Sequence, residues 1–233
     1  MRFPTSVILG CSMVMIARAP EAAPTNGAIA GTVKFFEDGK QVTRPIVGYV
    51  YLLPARRRGG SASPKPLTAT IVQKDKKFTP DRLVIPVGST VAFPNQEARS
   101  RPDNDHNVFS PTEPTPFDLS RYSSGETRSR KFLDEGEFDI YCDIHVDMSA
   151  KVKVVETDRI TVVTNGTFKL TDVPAGTYKL VAWAPDSAES KETITVVAGE
   201  TTRAPQLNVQ VGRPKPHLRK DGSAYPIYDK NGR

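Results

Sequence analysis

Short apolar stretches separated by turn residues recur along almost the whole chain. In several of them apolar and polar positions alternate, which is typical of a strand with one buried face. No window combines a helical repeat of apolar positions with capping residues. We therefore predict an all-β protein built from β-sandwiches. The predicted strands include Ile29 to Phe35, Ile46 to Leu53, Leu83 to Val87, Thr90 to Phe93, Phe138 to Cys142, Lys151 to Val155, Thr177 to Trp183 and Thr193 to Val197.

Composition agrees with this pattern and excludes few functions. The 233 residues include 20 prolines and 16 glycines, which favour turns and short strands. Charged residues make up 25% of the chain, as in ordinary globular proteins. The net charge of +6 favours acidic partners or anionic surfaces. No nucleic-acid-binding motif accompanies this charge, so we expect no nucleic-acid partner.

The first residues resemble an export signal. Arg2 gives a positive start, Val7 to Ala17 form a short apolar run, and small residues follow. We predict that residues 1–23 are removed and that the protein is periplasmic or secreted. Cleavage before Cys11, as in a lipoprotein, is the alternative. We expect no transmembrane segment in the mature chain, since no later apolar run approaches the required length.

Removal of residues 1–23 would leave one cysteine, Cys142, and one methionine, Met148. A single cysteine cannot form an internal disulfide, and an exposed free thiol is a liability in an oxidising compartment. Cys142 therefore needs another explanation.

Four potential metal ligands supply that explanation. Cys142, His145 and Met148 follow one another at intervals of three residues, and His106 lies upstream. A thiolate, two imidazoles and a thioether form a ligand set that suits copper, with the thioether as a weak axial ligand. A structural zinc site would favour more thiolates or four strong donors. Each residue taken alone could instead be a core filler or a structural histidine.

The segment from Leu67 to Glu156 resembles the cupredoxins, the blue copper family that includes plastocyanin and amicyanin. The resemblance rests on Leu83-Val84-Ile85-Pro86-Val87-Gly88, on His106-Asn107-Val108-Phe109-Ser110, on Gly136-Glu137-Phe138-Asp139-Ile140-Tyr141-Cys142 and on the short Cys-x2-His-x2-Met loop. It implies a Greek-key sandwich, designated 67–156, and one type 1 copper bound by His106, Cys142, His145 and Met148. It also implies that Asn95 braces the ligand loops. Val146, where many such loops have proline, departs from the pattern.

The flanking segments resemble a transthyretin-like domain of the carboxypeptidase regulatory type, an Ig-like sandwich. The motifs are Ile29-Ala30-Gly31-Thr32-Val33 and Val173-Pro174-Ala175-Gly176-Thr177-Tyr178. We predict a discontinuous domain made of residues 28–58 and 158–211, with the cupredoxin inserted in it. The basic segment from Arg56 to Pro66 is interpreted as a linker, and residues 212–233 as a basic extended tail.

The predicted function is single-electron transfer between redox partner proteins, and the cupredoxin resemblance implies that His145 is the electron port. We predict no enzymatic activity, since no nucleophile–base pair or open metal position is indicated. The acidic residues near the ligands are interpreted as solvated loop charges, and Tyr141 as a packed strand residue or a second electron route. A copper carrier or storage module is one alternative. A surface-binding protein with a structural copper is another. The sequence names neither the redox partner nor the oligomeric state.

Overall fold

The computed structural model describes residues 25–55, 63–98, 104–212 and 217–225. The predicted export signal, residues 1–23, lies outside this range, as do residues 56–62 of the predicted linker. The described backbone forms nineteen strands and no helix, which confirms the all-β prediction. In the part of the chain that is described, no helix has the length and apolarity needed to cross a membrane.

The strands, numbered in chain order, are β1 (Asn26–Glu37), β2 (Lys40–Gln41), β3 (Tyr49–Pro54), β4 (Thr68–Thr70), β5 (Val72–Lys74), β6 (Lys77–Thr79), β7 (Arg82–Pro86), β8 (Thr90–Pro94), β9 (His106–Ser110), β10 (Phe117–Tyr122), β11 (Thr127–Lys131), β12 (Gly136–Tyr141), β13 (Ser149–Val155), β14 (Ile160–Val162), β15 (Thr167–Pro174), β16 (Gly176–Trp183), β17 (Ser190–Val196), β18 (Thr201–Arg203) and β19 (Leu207–Gln210).

Strands β1–β3 and β14–β19 form one sandwich, here called the split sandwich. In its first sheet β1 pairs with β15, β18, β19 and β2, and in its second sheet the order is β14-β3-β16-β17. The long β1 pairs with two parallel strands in succession, because Ile29 lies opposite Thr202 of β18 and Val33 lies opposite Leu207 of β19. Side chains such as Ile29, Leu52, Leu180 and Leu207 share one buried core.

Strands β4–β13 form a second sandwich, here called the inner sandwich. One sheet has the order β10-β9-β12-β13-β7 and the other β11-β8-β4, with β5-β6 as a separate hairpin. β7 runs parallel to β13, and β4 runs parallel to β8. The core contains Phe93, Val108, Ile140 and Val152, together with Cys142. This sandwich therefore buries the predicted ligand cysteine among apolar side chains.

The chain leaves and re-enters the split sandwich at neighbouring strands. β3 and β14 flank the inner sandwich in the sequence, yet they pair with each other, with Tyr51 opposite Ile160. An insertion is tolerated where its two ends lie close together. This pairing supports the predicted division into 28–58 with 158–211 and an inserted 67–156, whose bounds stay a prediction.

An apolar cluster joins the two sandwiches. Tyr49, Tyr51 and Trp183 of the split sandwich pack with Val84 and Val155 of the inner sandwich. Trp183 is 1% exposed, and its indole N–H donates to the Glu137 carboxylate of β12 at 2.9 Å. A buried tryptophan is thus supplied with the polar partner that its N–H requires.

Charged groups at this junction are paired across it. The Lys151 ammonium lies 3.2 Å from a carboxylate oxygen of Asp186, and Lys153 lies 2.9 Å from Glu189. Tyr51 also donates to Glu189 at 2.6 Å. Burial alone would raise the pKa of the Glu189 carboxyl, but hydrogen bonds from Lys191, Tyr51 and Lys153 lower it to about 2. Glu189 is therefore ionised and paired at neutral pH.

The pairing scheme predicts how fragments of the chain fold. Residues 63–156 contain every strand of the inner sandwich and should unfold cooperatively in urea, as followed by circular dichroism. Residues 158–211 lack β1 and β3, which pair with strands from both sheets, so this fragment should show no cooperative transition. Joining residues 25–55 to 158–211 through a short Gly/Ser linker should restore the transition, because the ends to be joined belong to paired strands. Cooperative unfolding of 158–211 alone would contradict the division.

Candidate metal centre

The hairpin of β12 and β13 positions the loop that carries three of the predicted ligands. The two strands pair from Gly136 with Val154 to Tyr141 with Ser149, so residues 142–148 must close the loop. The Cys142 N–H donates to the Met148 carbonyl at 3.1 Å, and the Met148 N–H donates to the His145 carbonyl at 3.1 Å. These bonds close a tight loop and bring the backbones of Cys142, His145 and Met148 close together.

The fourth predicted ligand begins β9, the strand next to β12. His106 is fully buried, and all five residues of β9 are buried. The single ladder pair between the two strands joins Tyr141 to Phe109. This registration places His106 opposite the loop rather than farther along the sheet.

The donor atoms of three predicted ligands converge. His106 Nδ1 lies 3.2 Å from His145 Nδ1, and Cys142 Sγ lies 4.0 Å from the former and 3.7 Å from the latter. Donors bonded to one ion at about 2.0 Å for nitrogen and about 2.3 Å for sulfur would have this spacing. The residues therefore fit a single metal ion, and within the described residues they form the one such group of histidine, cysteine and acidic side chains.

Met148 belongs to the same buried cluster. Its side chain is 0% exposed and packs in the core that contains Cys142 and Phe93. Its backbone bonds to Cys142 and His145 tie it to two other predicted ligands. Its role as an axial ligand stays a prediction.

Burial also affects the predicted thiolate. Removal from water raises the pKa of the Cys142 thiol, and backbone N–H groups of Asn107, Ile144 and His145 offset part of that increase. The metal-free thiol is therefore protonated at neutral pH. A metal ion must displace this proton, so metal binding is coupled to proton release.

A buried carboxylate orients His106, and sequence reasoning missed it. Glu97 is 6% exposed, and its Oε1 lies 3.1 Å from His106 Nε2. Burial alone would raise the pKa of this carboxyl, but bonds from the Lys76 N–H and from His106 lower it. A carboxylate at Nε2 keeps the proton on that nitrogen and leaves the Nδ1 lone pair free for a metal. The interpretation of nearby acidic residues as solvated loop charges is wrong for Glu97.

Asn95 lies where it can brace the chain that leads to His106. It is 1% exposed, and its amide N–H donates to the carbonyls of Asn104 at 2.8 Å and Tyr122 at 3.3 Å. Its carbonyl oxygen accepts the Glu97 N–H at 3.1 Å. Asn95 thus contacts the segment before His106 rather than the 142–148 loop, and the predicted bracing role stays a prediction.

Asn107 connects the two ligand-bearing segments. Its side-chain oxygen accepts the Asp143 N–H at 2.6 Å, which joins β9 to the loop directly after Cys142. Asn107 is 2% exposed, so water cannot compete for this bond. In the sequence, only the position of Asn107 directly after the predicted ligand His106 pointed to a role for it.

The predicted tail also reaches the centre. We expected an extended tail from residue 212, but the described residues 217–225 fold back on the loop, and the Tyr225 hydroxyl donates to the Cys142 carbonyl. Two charged side chains, Arg219 and Lys220, contact Asp143 and Asp118 in the inner sandwich. Basic composition indicated a solvated segment, whereas these acidic partners lie more than seventy residues away in sequence.

His145 differs from His106 in its access to solvent. His106 is fully buried, whereas His145 is partly exposed beside Val146, which is 49% exposed. His145 is therefore the predicted ligand that reaches the surface.

Comparisons with known proteins give partial matches. A model of the family "Polysaccharide lyase family 4, domain II" matches residues 159–204, within the split sandwich. Among curated proteins none matches the chain. The matching solved structures include a Cu-containing nitrite reductase from Thermus scotoductus SA-01, at 28% identity and TM-score 0.37, which covers 45% of this chain and 25% of that chain. The match therefore spans about a quarter of the nitrite reductase.

Two further structures match at lower identity. A purple cupredoxin from Nitrosopumilus maritimus is 24% identical with a TM-score of 0.32, and the match covers 37% of this chain and 99% of that chain. A reduced amicyanin variant is 22% identical with a TM-score of 0.34, and the match covers 45% of this chain and 91% of that chain.

The bracing role of Asn95 can be tested by Asn95→Ala. This change removes three hydrogen bonds and leaves buried backbone groups unpaired, so the free energy of unfolding should fall by about 1–3 kcal/mol in urea titration. Asn208→Ala, at an exposed position of β19, is the matched control and should be nearly neutral. Equal stability of the two variants would contradict the role.

Proposed function

We propose that this protein binds one copper ion in a type 1 site through His106, Cys142, His145 and Met148 and carries single electrons between redox partner proteins. The observation that carries the proposal is the convergence of one Sγ and two Nδ1 atoms in the core of the inner sandwich. A metal ion bound between the thiol and the two imidazoles would stabilise this close arrangement of donor atoms.

The donor set supports copper over zinc. One thiolate with two imidazoles and a buried thioether suits an ion that cycles between a soft and a harder oxidation state. When bound, copper would supply one-electron redox chemistry. The protein's part is to hold Cys142 and His106 in one arrangement and to exclude water from them, which their full burial supports.

Burial also favours electron transfer over a copper carrier or a catalytic metal site. A copper carrier must expose its thiolate to the acceptor, and a catalytic metal needs a position open to substrate. Cys142 and His106 are both 0% exposed, which suits neither task. An electron, by contrast, can cross the partly exposed His145 ring without opening the site.

The surface beside His145 is the proposed contact for the redox partner. Val146 is 49% exposed there and gives an apolar contact without a charge. We assign no enzymatic activity to the site. Export to the periplasm or outside the cell, as the first 23 residues suggest, would suit a copper site with a single thiol.

The proposal predicts an intense visible colour for the oxidised, copper-loaded protein, because a short copper–thiolate bond gives strong charge transfer. Full-length protein should bind one copper per chain, and Cys142→Ser should lose the colour. The measurement is a visible absorption spectrum with metal analysis.

The matched control is Ala204→Ser, which places a serine at a buried position of the split sandwich and should leave the colour intact. A pale oxidised form of the unaltered protein would contradict a type 1 site. A coloured form that releases copper readily to a competing thiol would favour the carrier function instead.

A further inference from the structure

Residues 217–225, here called the C-terminal strap, lie against the part of the ligand loop that carries Cys142. The Tyr225 hydroxyl donates to the Cys142 carbonyl oxygen. The His217 ring stacks on Tyr141 with a centroid separation of 3.9 Å and an interplanar angle of 10°, and Tyr225 meets His217 edge-on at 5.1 Å. Rings on the strap therefore cover the residue before the ligand and bond to the ligand's own peptide.

Charged groups hold the strap in this position. Lys220 donates its backbone N–H to the Asp143 carboxylate at 2.8 Å and its ammonium to Asp118 at 2.8 Å. Arg219 donates to the Asp143 carbonyl at 3.2 Å. The Asp143 side chain is only 13% exposed, so these bonds are partly shielded from solvent.

The strap and β9 hold the same peptide from two sides. Asn107 binds the Asp143 N–H, while Tyr225 binds the Cys142 carbonyl, and these two groups belong to one peptide unit. With both its N–H and its C=O bonded to side chains, this unit cannot rotate without breaking a hydrogen bond. The orientation of Cys142 is thereby fixed before any metal binds.

We propose that Tyr225 is a positioning residue of the metal centre, which immobilises the Cys142–Asp143 peptide and raises the reduction potential of the bound copper. The proposal rests on the copper function proposed above. The positive end of the Tyr225 O–H dipole faces the ligand residue, so it favours the reduced ion, which carries less positive charge. Without this hydroxyl, the affinity of the protein for the oxidised ion increases relative to its affinity for the reduced ion.

The test compares Tyr225→Phe with Tyr178→Phe in the full-length protein. Tyr178 also donates its hydroxyl to a backbone carbonyl, that of Pro174 at 2.9 Å, but it lies in the split sandwich. The two changes remove the same kind of bond and should have similar effects on thermal stability. Only the change near the metal should alter the metal's properties.

For Tyr225→Phe we expect the ratio of Cu(I) to Cu(II) affinity to fall about three- to tenfold, because the lost hydrogen bond is stronger in the reduced state than in the oxidised state. At about 59 mV per tenfold for one electron, the reduction potential falls by about 28–59 mV. In the metal-free protein, hydrogen exchange of the Asp143 amide should accelerate about three- to tenfold. Tyr178→Phe should change neither quantity.

A Tyr225→Phe protein with the unaltered potential and unaltered Asp143 exchange would overturn the positioning role. Equal changes in both variants would also overturn it, because they would show a general loss of stability. Failure of the unaltered protein to form a coloured copper complex would refute the copper function. The Asp143 exchange rate would then still decide whether Tyr225 immobilises the peptide.

Discussion

The closure of the 142–148 loop is the constraint on which the rest of the centre depends. The bond from the Cys142 N–H to the Met148 carbonyl joins the first and last residues of the loop where β12 and β13 separate. The β12–β13 hairpin thereby carries Cys142, His145 and Met148 on one short loop, and it places Cys142 and Met148 in the core of the inner sandwich.

Three polar side chains around the loop have different roles. Glu97 sets which nitrogen of His106 carries the proton, Asn107 ties β9 to the loop, and Tyr225 completes the bonding of the Cys142 peptide. All three are polar groups placed against buried residues that are predicted ligands, where an unpaired donor or acceptor would be costly. The burial that shields these residues from water thus requires the hydrogen-bond network, and the network in turn restricts their movement.

Sequence reasoning predicted those parts that depend on local pattern. The alternating stretches at Thr90 to Phe93 and Lys151 to Val155 lie within β8 and β13, and the predicted strand Phe138 to Cys142 ends one residue beyond β12. The pairing of Ile29 with β15 also agrees with the predicted discontinuous domain, because each half lacked enough strands to bury a core.

The parts that the sequence did not predict depend on contacts between distant segments. In the sequence, Glu97 cannot be distinguished from other acidic loop residues, but the fold buries it against His106. The basic residues around Lys220 indicate a solvent-exposed segment, but the fold brings Asp118 beside Lys220. Trp183 ends a predicted strand, and nothing in that strand's pattern indicates that it joins two sandwiches. No local sequence pattern identifies these residues, because their contact partners lie in distant segments that only the fold brings together.

The central claim is that the fold holds one thiolate and two imidazoles in a fixed arrangement for a single copper ion. X-ray absorption spectroscopy of the copper-loaded, full-length protein tests it in both oxidation states. The account predicts one short copper–sulfur and two copper–nitrogen distances in the oxidised state, with the same ligands retained on reduction. A spectrum without a short sulfur bond, or a ligand lost on reduction, would contradict the account.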